Sequence, residues 1–126
     1  MVWENLQVLD LNTNKIGAEG ASELSKNKTW MNLQTLNLSY NVIEDKGAAE
    51  LARNTVWTEL ETLDLSSNGI SDQGALELSQ NTTWTNLHTF KLEKNNVKAQ
   101  SLKNAGKFIS YITGGIPLLI ASLPSK

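Results

Sequence analysis

The sequence predicts an α/β solenoid of about four stacked coils, each a short strand, a turn and a short helix. Three observations carry this expectation. Trp3, Trp30, Trp57 and Trp84, the only tryptophans in the chain, stand 27 residues apart. Aligned on them, Leu6-x-x-Leu9-x-Leu11-x-x-Asn14-x-Ile16 recurs as Leu33, Leu36, Leu38, Asn41, Ile43, then as Leu60, Leu63, Leu65, Asn68, Ile70, and finally as Leu87, Phe90, Leu92, Asn95, Val97. In the first three copies Gly-Ala-x-x-Leu follows, at Gly20, Gly47 and Gly74. Self-similarity at such a period marks a stacked repeat array, because one unit cannot bury its apolar side alone.

The third copy shows why each element is expected. The alternation Leu63-Asp64-Leu65 fits a short strand, whose successive side chains point to opposite faces. Asn68 follows where the chain must turn, and an amide side chain satisfies exposed main-chain groups there. Its recurrence at 14, 41, 68 and 95 predicts a buried ladder of Asn side chains, one per coil. Ser71 or Asp72 is the expected helix N-cap, and Asp45 takes the same role in the preceding copy. Ala75 and Leu78, three apart, share one face of a short helix. Gly20, Gly47 and Gly74 are expected to let the helix approach the strand layer, and Asn27, Asn54 and Asn81 to close the helix in the left-handed region. The Trp column then packs between layers. In the fourth unit Leu102 takes the Ala75 column and Ala105 the Leu78 column, a swap that conserves volume.

The predicted domain runs over 1–107, and 108–126 is an apolar cap or tail. From Phe108 to Leu123 there is no charge; Tyr111 falls where a fifth Trp belongs, but Gly114 and Pro117 replace the next leucines. A cap over the open end of the array is the plainest reading of this segment. Self-association through it is a second, and membrane insertion a third, although the stretch is short for a spanning helix and is interrupted by Gly and Pro. Trp3 opens into a repeat without a polar capping element, so the first coil is expected either to continue a longer array or to pair with another chain.

Composition narrows the function. With 40% hydrophobic and 19% charged residues the chain reads as an ordinary soluble protein, and a net charge of −2 argues against nucleic-acid binding, which needs a concentrated basic surface. There is no cysteine, which removes disulfides, thiolate metal sites and cysteine nucleophiles. The first residues lack the basic and apolar regions of a secretory signal, so the expected setting is intracellular and cytoplasmic. His88 is the only histidine, and its column otherwise holds Gln7, Gln34 and Glu61. Beside Glu61 in the stack it would form an exposed pair. A zinc site wants several His or Cys ligands, a serine nucleophile wants an oriented histidine, and no phosphate-cradling glycine loop is present. The expectation is no enzyme, no metal and no cofactor.

The repeated motifs resemble the leucine-rich repeat family, in particular its ribonuclease-inhibitor-like subfamily, although the units here are slightly short and Trp holds a place more often aliphatic. The resemblance implies a curved solenoid with a parallel sheet on the concave side and helices on the convex side. At the usual strand spacing, four coils make a sheet about 15 Å across. It also implies that partners bind the concave surface. The residues between the inward leucines supply that surface, and the candidate protein-binding set is Asp10, Asn12, Asn37, Ser39, Tyr40, Asp64, Ser66, Lys91, Glu93 and Lys94. The column Asp10, Asn37, Asp64, Lys91 changes sign along the sheet, and Tyr40 is the one large amphipathic side chain on it. The leading expectation is a non-enzymatic scaffold for a protein partner. The alternative is a structural piece that self-assembles through its ends and apolar tail. A third reading, a regulator of small GTPases, rests on the resemblance alone.

Overall fold

The computed structural model describes residues 3–98. The fourth unit's Leu102 and Ala105, the boundary at 107 and the apolar stretch 108–126 lie outside these residues. Four strands alternate with three helices: β1 (Val8–Asp10), α1 (Gly17–Ser25), β2 (Thr35–Asn37), α2 (Glu44–Leu51), β3 (Thr62–Asp64), α3 (Asp72–Ser79) and β4 (Thr89–Lys91). The strands form one parallel sheet in chain order. Leu9 pairs with Leu36, Leu36 with Leu63, and Leu63 with Phe90, so the register equals the sequence period. This is the α/β repeat solenoid that the spacing predicts.

The core is the repeat pattern made physical. Leu33, Leu36, Leu38, Ile43, Ala48 and Leu51 of the second coil are fully buried, as are Trp57, Leu60, Leu63, Leu65, Ile70 and Ala75 of the third. Their first-coil counterparts Leu6, Leu9, Leu11, Ile16 and Leu24 are only partly buried against the same cluster, because among the described residues they have a neighbour on one side. The Trp column follows the same gradient. Trp3 is 52% exposed, Trp30 half-buried, and Trp57 and Trp84 buried.

The Asn ladder is present. The side-chain oxygen of Asn68 accepts the main-chain N–H groups of Asn41 (3.0 Å) and Ile43 (3.2 Å) in the coil before, and its amide donates to the carbonyls of Leu38 (2.9 Å) and Ser66 (3.1 Å). Asn41 does the same for Asn14 and Ile16, and Asn95 for Asn68 and Ile70. The turn from strand to helix would otherwise bury unpaired backbone groups, which is costly.

Three local expectations are corrected. Asn27, Asn54 and Asn81 are not the left-handed residues. They form a second ladder behind the helices, where the Asn54 oxygen accepts the N–H of Val56 and Trp57 and its amide donates to Ser25 of the coil before. The left-handed positions lie instead on the strand-to-helix turn, at Thr13, Tyr40, Ser67 and Lys94, again at Lys15, Val42 and Gly69, and at the helix starts Gly17 and Glu44. Val42 stands out, since a β-branched residue in this region costs roughly 1–2 kcal/mol. The glycines also serve a different approach. A Cβ on Gly20, Gly47 or Gly74 would run into Ile16, Ile43 or Ile70 of its own coil. On Gly47 it would also come within 3.2 Å of Ala18 Cα, and on Gly74 it would meet Asp45 and Ala48, so these glycines make room for the core isoleucine and for the helix of the coil before.

The third correction concerns capping. Ser71 is the N-cap of α3, but its own side chain makes no cap hydrogen bond, and α2 starts after Ile43 with Asp45 inside its first turn. Asp45 instead caps the next helix, accepting the N–H of Ser71 (2.7 Å) and of Gly74 (3.1 Å), and the Ser71 hydroxyl donates to its other oxygen. Asp72 repeats the device toward Lys98 N (2.7 Å). Losing an N-cap acceptor costs about 1 kcal/mol, and here the bonds also join two coils. Asp45→Ala is therefore expected to lower stability by about 1–2 kcal/mol, most of it retained in Asp45→Asn. Urea unfolding measures both, and equal losses in the two variants would refute the trans-cap.

Candidate protein-binding face

The outer face of the sheet and the turn that follows it present three rows of side chains, each repeated once per coil. The first row is Asp10, Asn37, Asp64 and Lys91, held side by side by the strand register. Asp10 and Lys91 are exposed, and Asn37 and Asp64 half-buried. The first three also anchor the turn behind them. Asp10 accepts both the Asn12 amide (2.7 Å) and the Asn12 N–H (3.2 Å), Asn37 accepts from Ser39, and Asp64 accepts the N–H of Ser66. Lys91 carries no such duty, being a donor only.

Those bonds lower the Asp10 pKa below its ordinary value, the Asn12 side chain first and the Asn12 N–H second. A lowered carboxylate contributes above its unfolded pKa and loses that contribution as pH falls through the folded value. The effect belongs to the acid side of neutrality.

The second row is Asn12, Ser39, Ser66 and Glu93. Ser39 is expected to face outward, yet it is buried at 7% exposure with its hydroxyl donating to Asn37 (2.7 Å). It therefore stands apart from the accessible candidates. Ser66 is half-buried and its hydroxyl reaches the exposed Glu93 (3.2 Å). The third row is the left-handed column Thr13, Tyr40, Ser67, Lys94. Tyr40 is 47% exposed, and Lys94 Nζ donates to its hydroxyl at 3.0 Å, spanning two coils above the small Ser67. The ammonium lies 5.7 Å from the ring centroid, at the hydroxyl end, so the hydrogen bond leads the contact. It raises the Lys94 pKa, with the charge interaction with Tyr40 second. This contribution is complete below lysine's unfolded pKa and is lost as pH rises through the raised value.

Val42, two residues beyond Tyr40, is 58% exposed and is absent from the candidate set. Its column (Lys15, Val42, Gly69, Asn96) holds the signal, an apolar residue at a turn position where the other coils place polar ones or glycine. His88 does lie by Glu61, Nε2 to Oε1 at 3.7 Å, with both side chains well exposed. A separate hollow of about 580 Å³, lined by Leu11, Ile16, Leu24 and Trp30 among others, opens at the first coil and shares no residue with the three rows. No helix of the described residues is long and apolar enough to cross a membrane.

A family model described as leucine-rich repeat matches residues 4–25, 31–52 and 58–79, one stretch for each of the first three coils. The chain belongs to the leucine-rich repeat family. No curated protein matches it in a sequence comparison. Among solved structures this leucine-rich repeat chain is similar to one titled "Leiomodin-1 Actin-Binding Site 2 (ABS2)", with a TM-score of 0.58 and 20% identity over 86% of this chain. The chain spans 66% of the length of that structure, and at this identity the likeness is one of fold.

Proposed function

We propose that this leucine-rich repeat protein is a non-enzymatic module that binds a protein partner through the outer face of its sheet, concave as in the ribonuclease-inhibitor-like subfamily it resembles. The observation that carries this reading is the contrast between columns. From coil to coil the inward leucines and the ladder Asn repeat almost unchanged, whereas the outward row in strict register runs Asp10, Asn37, Asp64, Lys91. Asp10, Asn37 and Asp64 also hold their turns, but the charge of the row changes from negative at Asp10 and Asp64 to positive at Lys91. A framework that keeps its core while its face changes sign is suited to recognition. The neighbouring structure's title names an actin-binding site, which supports a protein as the class of partner.

The test is partner capture by the purified chain with identification by mass spectrometry, followed by titration of Tyr40→Ala, Asp64→Asn and Lys91→Glu. Asp64→Asn keeps the acceptor that holds Ser66. Each variant is expected to weaken binding at least tenfold, about 1.4 kcal/mol, with a melting temperature close to that of the parent. Unchanged affinity in all three refutes the sheet-face reading.

A second reading is self-association through the first coil, where among the described residues β1 pairs on one side only and Leu6, Leu9, Leu11, Ile16 and Leu24 stay partly open. Light scattering on the full chain and on residues 1–107, the proposed repeat domain, decides it. Monomers in both remove it.

A further inference from the structure

Residues 40 and 42 break the economy of the fold. Both sit in the left-handed region, Tyr40 at φ 59° and Val42 at φ 56°, and both leave large apolar surface in water. In the same two columns the next coil carries Ser67, which the Lys94 side chain crosses on its way to Tyr40, and Gly69, which is exposed and has no side chain, so the step lies at Gly69 beside Val42. A Cβ on Gly69 would touch only the Glu44 side chain, at 3.5 Å. The left-handed turn is shared by the other coils, at Thr13, Lys15, Ser67 and Lys94. What sets this coil apart is that a large aromatic and a β-branched residue stand there with apolar surface exposed, which is a reason to look for function.

The two ends of this step differ in charge. On the sheet side stands Lys94, whose ammonium spends one donor on Tyr40 and has two others. On the helix side stands the Glu44 side chain, beside Gly69. The wider charge distribution agrees. Residues 3–83 carry five cationic and twelve acidic side chains, whereas residues 84–98 carry three lysines and one glutamate. A positive pole therefore lies on the fourth coil and a negative one on the coils before it.

We propose that this step is a docking notch for a peptide segment of a protein partner. An acidic side chain pairs with Lys94, an apolar side chain covers Val42 above Gly69, and a basic side chain meets Glu44. This deepens the sheet-face reading and rests on it, adding the partner's chemistry and its direction. A polar residue at 42 would remove the apolar floor, and a reversed peptide would set like charges together at both ends, which is the repulsive element that specificity requires.

The test uses an array of short synthetic peptides in which an acidic–apolar–basic core is compared with its charge-reversed order and with a serine in place of the apolar residue. The full chain is expected to bind the first at least tenfold more tightly than either control. Val42→Gly and Lys94→Gln are each expected to reduce that binding at least tenfold, while Val42→Gly raises the melting temperature by roughly 4 °C or more through relief of the left-handed valine. A gain in stability with a loss of binding cannot arise from misfolding. Lys91→Glu separates the two readings. If peptide binding falls in Lys91→Glu and survives in Val42→Gly, the sheet face stands and the notch is wrong. Equal binding of the reversed peptide, or no binding of any peptide in the array, also overturns the notch. A captured folded partner that depends on Lys91 would still uphold the sheet face.

Discussion

Replacing Asn68 by alanine is expected to destabilise the protein by about 4 kcal/mol, a large share of what a domain of this size possesses. Asn68 is 1% exposed, and its side chain serves two main-chain N–H groups and two carbonyls. Alanine removes all four bonds at once without opening a path for water. At roughly 1 kcal/mol for each buried group left unpaired, the low end of the usual range, the loss reaches that figure. Asn14 makes the comparison sharp. It occupies the same column in the first coil, but it is exposed, and its amide donates only to Leu11 and Asn12. Water can replace those bonds, so Asn14→Ala is expected to cost less than about 1 kcal/mol. Equilibrium urea unfolding of the two variants measures the difference. Equal losses at 14 and 68 would mean that the ladder is not what holds the turns.

Much of this architecture is legible in the sequence because a stacked repeat turns sequence period into spatial register. Leu36, Leu63 and Phe90 align in the sheet for the same reason that they align in the sequence. What stays hidden is whatever one coil does for the next. Asp45 reads locally as the cap of its own helix, yet the N–H groups it accepts belong to Ser71 and Gly74, a coil away in sequence and adjacent in space. Asn54 reads as a left-handed helix end because asparagine tolerates that region, but it can equally accept from the N–H groups ahead of it, and the nearby Val56 and Trp57 decide the matter. The candidate face shows the same limit. Alternation places Asp10, Asn37, Asp64 and Lys91 in one outward row, but the strands are three residues long. Past Asn37 the chain turns and parity no longer predicts direction, which is why Ser39 goes inward and Val42 outward.

The Trp column yields the second large effect. Trp57 is fully buried among core leucines of two coils, so Trp57→Ala combines lost transfer energy with a cavity that rigid neighbours fill poorly. The expected cost is about 3–5 kcal/mol. Trp57→Phe is expected to cost well under half of that. It keeps an aromatic ring in the layer, and it also removes an indole N–H that is buried without an acceptor among the described residues, a group whose desolvation works against the native state. Along the stack, Trp3→Ala should cost less than about 1 kcal/mol because half of that side chain is already in water, and Trp30→Ala should fall between the two. One residue type in one local sequence context is thus predicted to have three different energies, set only by how many coils cover it. Local propensity is the same at each site, so a graded series from denaturant unfolding can come only from stacking. A flat series across 3, 30 and 57 would contradict a core shared between coils, and with it the register on which the recognition face depends.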